Sequence, residues 1–146
     1  MQSKPYLTLA DVKKIAAAAE AEALANDWAV SIAIVDDGGH LLWQQRLDGA
    51  APLTAHIAPA KAKTSALGRR ETKVYEDVIN NGRYAFLTAP EVEGLLEGGV
   101  NIVVDGHSIG AVGVSGVKSD QPSSATHAQV PSPRLVPRLR TSAWGQ

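Results

Sequence analysis

GGVNIVVDGHSIGAVGVSG, spanning Gly98 to Gly116, reads as two short strands, Val100–Val104 and Ser108–Val114, joined by a turn at Asp105-Gly106. Asp-Gly between two β-branched runs is the strongest short-range hairpin signal, because both central residues of such a turn take positive φ. Gly110, Gly113 and Gly116 recur at every third position of the second strand and its end. Glycine weakens a strand, so three of them imply close approach by another backbone, a helix or a ligand. An earlier stretch, Ala29–Leu47, repeats the pattern: a β-branched run, the turn Asp36-Asp37-Gly38-Gly39, and a second strand. Two glycine-turned hairpins side by side predict an antiparallel sheet of at least four strands. In the first of these strands Val30, Ile32 and Ile34 alternate with Ser31, Ala33 and Val35, so both faces of the sheet are expected to be covered.

Working outward, helical spacing predicts a first helix over Thr8–Asn26, with Thr8 as N-cap and Asp11 as the capping-box acid. Leu9, Val12, Ile15, Ala16, Ala19 and Ala23 form its apolar stripe. A second helix is expected from Pro52 to about Arg70, buried along Leu53, Ile57, Ala60, Lys61, Thr64 and Leu67, with a kink or a new start at Pro59. Gly68 and the nearby bases suit its C-terminus. A shorter helix follows over Thr72–Asn80; Arg83–Thr88 is ambiguous, and Glu91–Glu97 is a short helix or loop. Beyond Asp120 the texture changes: Pro122-Ser123-Ser124 is loop-like, and three prolines from Pro131 onward forbid a regular helix. Residues 1–121 are therefore expected to form one domain, and 122–146 a Pro/Arg-rich tail, extended or disordered.

With 146 residues, 45% of them hydrophobic and 20% charged, the chain suits a single globular domain with a real core. All fifteen acids precede residue 121, whereas Arg134, Arg138 and Arg140 make the tail basic. An acidic body argues against a nucleic-acid surface, which needs clustered positive charge. The absence of cysteine excludes disulfides, thiolate metal sites and a cysteine nucleophile, and suits a cytoplasmic protein. No secretory pattern or membrane-spanning run is found, so no membrane partner is expected.

Several motifs invite a chemical reading beside a structural one. Gly110–Gly116 has the spacing G-x-x-G-x-x-G rather than that of a dinucleotide loop, and no helix follows it. Ser115 lacks the second glycine of a nucleophile elbow. His40, His56, His107 and His127 show no metal-ligand spacing, so no metal site is assigned. Lys61, in an apolar-flanked run, either holds a carboxylate or propionate or snorkels to the surface. Asp36 and Asp37 are general bases or ligands on one reading, ordinary turn residues on the other. Arg46 and Asp48 form a surface pair or line a pocket mouth. Trp28 and Trp43, beside the first hairpin, read as core.

Taken in order, VDDGGHLLWQQRLDGA (35–50), AKAKTSALGRR (60–70), the stretch 98–116 and Asp120 resemble the GlcG/HbpS-like family of small haem-binding proteins, also seen as the C-terminal domain of PduO-type proteins. The resemblance covers about residues 8–120. It implies an α/β (α+β) profilin-like sandwich, a central antiparallel sheet flanked by helices, assembling into homo-oligomers and binding haem or a related tetrapyrrole. Asp36, Gly38, Gly39, Arg46, Asp48, Lys61, Gly98, Gly99, Asp105, Gly106, Gly110, Gly113, Ser115 and Gly116 match the family pattern, most of them as turn and fold determinants. Lys61, Arg46, His40, His56 and Asp36 are the candidate ligand-binding residues; His40 and His56 are the candidates for a haem axial ligand. No catalytic residue is assigned. Such proteins usually continue after the last strand with an acidic, alanine-rich helix, which the Pro/Arg tail replaces here. The alternative is a small-molecule enzyme or accessory factor in carboxylate or aromatic catabolism, using acid–base residues such as Asp36, Arg46 and Lys61; a purely structural subunit is the third reading.

Overall fold

Thr8 opens the first helix, α1 (Leu9–Ala25), as the spacing predicts: its hydroxyl accepts from the Asp11 amide and the Asp11 carboxylate accepts from the Thr8 amide, a complete capping box. Replacing Thr8 by alanine is expected to cost about 1 kcal/mol of stability, read as a lower urea midpoint with unchanged slope. The helix ends at Asn26, and Asp27 takes a left-handed φ of 56°. The computed structural model describes residues 1–117, so Asp120, His127 and the tail expected at 122–146 lie outside the described residues. After α1 come β1 (Ser31–Asp36), β2 (Leu41–Arg46), α2 (Thr54–Gly68), α3 (Thr72–Asn80), a 3-10 turn (Tyr84–Thr88), β3 (Gly99–Val104) and β4 (His107–Ser115).

The two hairpins join through β1 and β4 into one antiparallel sheet of order β2-β1-β4-β3. Opposite Ile32, Ala33 and Ile34 on β4 stand Val114, Gly113 and Val112. Asp105 (φ 49°) and Gly106 (φ 78°) form the second turn with both φ positive, as Asp-Gly dictates. The alternation along β1 sorts the core into two layers. Ile32, Ile34, Val100, Ile102, Val112 and Val114 meet Val12, Ile15, Ala16, Ala19 and Ala23 of α1. On the other face Ala33, Val35 and Ala111 meet Ala58, Ala62 and Ala66 of α2. The expected sheet with helices on both sides is thus found.

The second helix departs from its expected stripe. Leu53 and Leu67 are exposed, at 63% and 44%, while Thr54, Ala58, Lys61, Ala62, Thr64, Ser65 and Ala66 are buried. The reason lies in β4: a Cβ on Gly113 would collide with the Ala58 carbonyl and the Ala62 amide, so the helix backbone rests directly on the strand. Only small side chains fit between surfaces that close, and the leucines turn outward. Leu9, also placed on a buried stripe, is exposed at the start of α1.

Of the kink or new start expected at Pro59, the new start is not found: α2 runs through it. Proline has no N–H for the carbonyl four residues back, and the Ala55 carbonyl accepts instead from Gln44 Nε2 of β2. At the far end the left-handed residue is Arg69 (φ 54°) rather than Gly68. Gly68 is a packing residue: a Cβ there would strike the Tyr75 hydroxyl of α3.

Candidate functional site

The structure divides the candidate residues among three places. At the tip of the first hairpin the Asp36 carboxylate accepts from the Gly38 and His40 amides, each at 2.9 Å, and meets His40 Nδ1 at 3.0 Å. Asp36 therefore builds the turn and also orients the imidazole. The His40 side chain is 80% exposed. With Nδ1 engaged by a carboxylate, Nε2 is left as the second nitrogen, the arrangement that fixes tautomer and basicity in ligating histidines. Gly39 (φ 80°) sits against Lys63 and Leu67 of α2, and exposed Leu41 adjoins His40. Asp37 pairs with Lys4, which holds its carboxyl below the usual range through that hydrogen bond.

Arg46 and His56 lie at the other end of the sheet. Arg46 is paired in register with Ser31, whereas the Asp36–His40 turn begins five residues farther along β1, roughly 16 Å away. His56 is exposed in the first turn of α2, where Gln44 bonds Ala55 and Ser31 Oγ lies 2.8 Å from Thr54 Oγ1. The five candidate residues therefore do not converge on one point. Ser115 is buried at the end of β4, opposite Ser31. His107 is the half-buried first residue of β4.

Lys61 occupies a third, interior place. It is 4% exposed, and its Nζ donates to the Val114 carbonyl at 3.1 Å. It does not snorkel. Burial pulls its pKa down, opposed by the negative charges of Glu76 and Glu97. Glu97, 5% exposed, has its pKa pushed up by burial, with Lys73 and Lys61 opposing and Glu76 and Asp77 reinforcing. Its Oε2 is sealed from solvent without a hydrogen-bond partner among the described residues. The surrounding polar groups are satisfied: Thr72 Oγ1 accepts from the Gly99 amide at 2.8 Å, Thr64 Oγ1 from the Gly94 amide at 3.0 Å, and the Glu76 carboxylate from the Glu97 amide.

This interior cluster is only half visible in the sequence. Glu97 belongs to no chemical motif, and its one signal is an acid set between Leu95-Leu96 and Gly98-Gly99. Among the described residues no group of three or more histidines and acids is placed to hold a metal ion, and no helix is long and apolar enough to cross a membrane.

Comparison with known proteins gives concordant matches. A family model described as haem degrading protein HbpS-like matches residues 7–130. Protein GlcG of Escherichia coli strain K12 is 56% identical over 115 residues, which is 79% of this chain and 85% of that protein. The crystal structure of Klebsiella pneumoniae protein ORFY superposes with a TM-score of 0.72 at 31% identity, over 80% of this chain and 82% of that one. That of a PduOC:heme complex gives 0.69 at 27% identity, over 78% and 85%.

Proposed function

The chain belongs to the HbpS-like family, and from that premise we propose that it is a cytoplasmic homo-oligomer that binds haem or a related tetrapyrrole at the first hairpin. The observation that carries this reading is the Asp36–His40 pair: an exposed imidazole whose Nδ1 is already held, presented beside the apolar surface of Leu41 and Leu67. A relative of the same fold forms a heme complex, which supports the ligand class. In this reading His40 Nε2 would hold the haem iron, and Asp36 would orient the imidazole. Bound haem would add an iron centre with redox and ligand-exchange chemistry. Arg46 and His56, at the opposite end of the sheet, stand outside this site and serve as internal controls. Exposed large apolar side chains at both ends of α2, Leu53 and Leu67, are the surface on which the oligomer in this reading rests.

A hemin titration followed by absorbance, with the oligomer sized in parallel, tests both parts. The expected result is a saturable Soret band, weakened strongly in His40→Ala and by roughly tenfold in Asp36→Asn, the usual cost of losing a ligand's orienting partner. His56→Ala is expected to bind as the parent does. A flat titration overturns the ligand, full binding by His40→Ala overturns the site, and a monomeric mass at micromolar concentration overturns the assembly.

A further inference from the structure

We propose that Arg69 holds a carboxylate of the ligand at the first hairpin; on the haem reading, from which this inference proceeds, that group is a propionate of the tetrapyrrole. Arg69 ends α2 in the left-handed region, with φ 54° and ψ 38°. Its amide donates to the Ala66 carbonyl at 3.3 Å, and the Arg70 amide donates to the Ser65 carbonyl at 3.2 Å. These two bonds make a Schellman ending, whose left-handed position is ordinarily glycine. A residue with a Cβ takes this conformation at a cost that glycine escapes. Gly68 stands one residue too early to take it. A bulky side chain kept in the left-handed region marks a position retained for what that side chain does.

The end of α2 lies against the hairpin that carries His40. A Cβ on Gly39 would stand 3.6 Å from Leu67 Cγ. Arg69 follows two residues later, its Cα at most about 7.6 Å from that of Leu67. The other charges of this corner pair off. Asp37 takes Lys4, Asp36 takes His40 at 3.0 Å, and Glu91 takes Lys63 at 2.7 Å. Arg70 donates through Nε to the Gly68 carbonyl at 3.3 Å, and its guanidinium lies 5.8 Å from the centre of the Tyr75 ring. Arg69 is exposed and, among the described residues, forms no ion pair. It is the spare positive charge of the corner. A guanidinium meets a carboxylate with two parallel N–H···O bonds, a fit that an ammonium lacks. A ligand with an apolar body and a carboxylate arm therefore finds exposed Leu67 for the one and Arg69 for the other.

The test titrates the full chain with hemin and with hemin dimethyl ester, which keeps the ring and the iron and blocks both carboxylates. The parent is expected to bind hemin roughly tenfold more tightly than the ester, as one hydrogen-bonded contact between charged groups predicts. Arg69→Gly is expected to bind the two alike, and Arg69→Lys, which keeps the charge but not the fork, to retain part of the difference. Urea unfolding supplies the second readout. Arg69→Gly is expected to keep the parent's midpoint, because glycine adopts the left-handed conformation freely, so its loss of discrimination is not a loss of folding. A midpoint far below the parent's would make Arg69 a structural residue and overturn the inference. Equal binding of the two probes by the parent, or an unchanged ratio in Arg69→Gly, overturns the role of Arg69 and leaves the haem reading standing. A flat titration with both probes overturns the haem reading and this inference together.

Discussion

Gly113→Ala is expected to cost about 3 kcal/mol of stability, the upper part of the range for overpacking, and to lower the melting temperature by roughly 10 °C. A single methyl group has this effect because of what it meets. The added Cβ would strike the Ala58 carbonyl and the Ala62 amide, which are helix backbone and have no rotamer to change. Relief requires moving α2 away from the sheet, and that movement opens the contacts of Ala58, Ala62 and Ala66 with Ala33, Val35 and Ala111. Gly106→Asn is the contrast, in an exposed turn where an added Cβ would meet no atom within 4 Å. Its φ of 78° costs at most about 1 kcal/mol in a residue that tolerates the left-handed region. Urea unfolding of both variants gives the comparison. Equal, small losses would mean that α2 does not rest on β4 as described.

The second large effect concerns pH. Glu97→Gln is expected to exceed the parent in stability by about 1 kcal/mol near pH 8, with the difference shrinking toward about pH 4. Burial raises the Glu97 pKa above its ordinary carboxylate value, so the folded state holds this proton more tightly than the unfolded chain does. The resulting stability is fully present below the unfolded pKa and is lost as pH rises through the folded one. Above that point the parent carries a buried carboxylate with an oxygen unpartnered among the described residues, and the amide does not. Comparing variant with parent at each pH cancels the titration of every other acid. A difference that stays constant across the range would show that Glu97 is solvated.

How far the sequence can be read differs from element to element, for physical reasons. The capping box at Thr8, the Asp105-Gly106 turn and the alternation of β1 are local signals, carried by residues a few positions apart, and each appears where expected. The burial of α2 is not a local property. Its leucines look like a core stripe until Gly113 and Gly99 are brought against the helix backbone, after which alanine, serine, threonine and Lys61 form the buried face. Pro59 likewise reads as a kink or a new start, and only the fold brings Gln44 to the carbonyl it leaves free.

The candidate site follows the same division. Asp36 and His40 are four residues apart, and their pairing is written into one turn. Lys61 stands out by its apolar neighbours, but Glu97 lies in a distant segment and has no motif to mark it. The sequence by itself determined two glycine-turned hairpins, a capped first helix and a family pattern centred on residues 35–50, 60–70 and 98–116. Tertiary structure alone decided that small residues, not leucines, form the buried face of α2, that Arg46 stands far from His40, and that Lys61 and Glu97 share one interior. Turns and caps are fixed by neighbouring dihedrals and hydrogen bonds, whereas helix–sheet distance and buried charge are set by surfaces that meet only when the chain has folded.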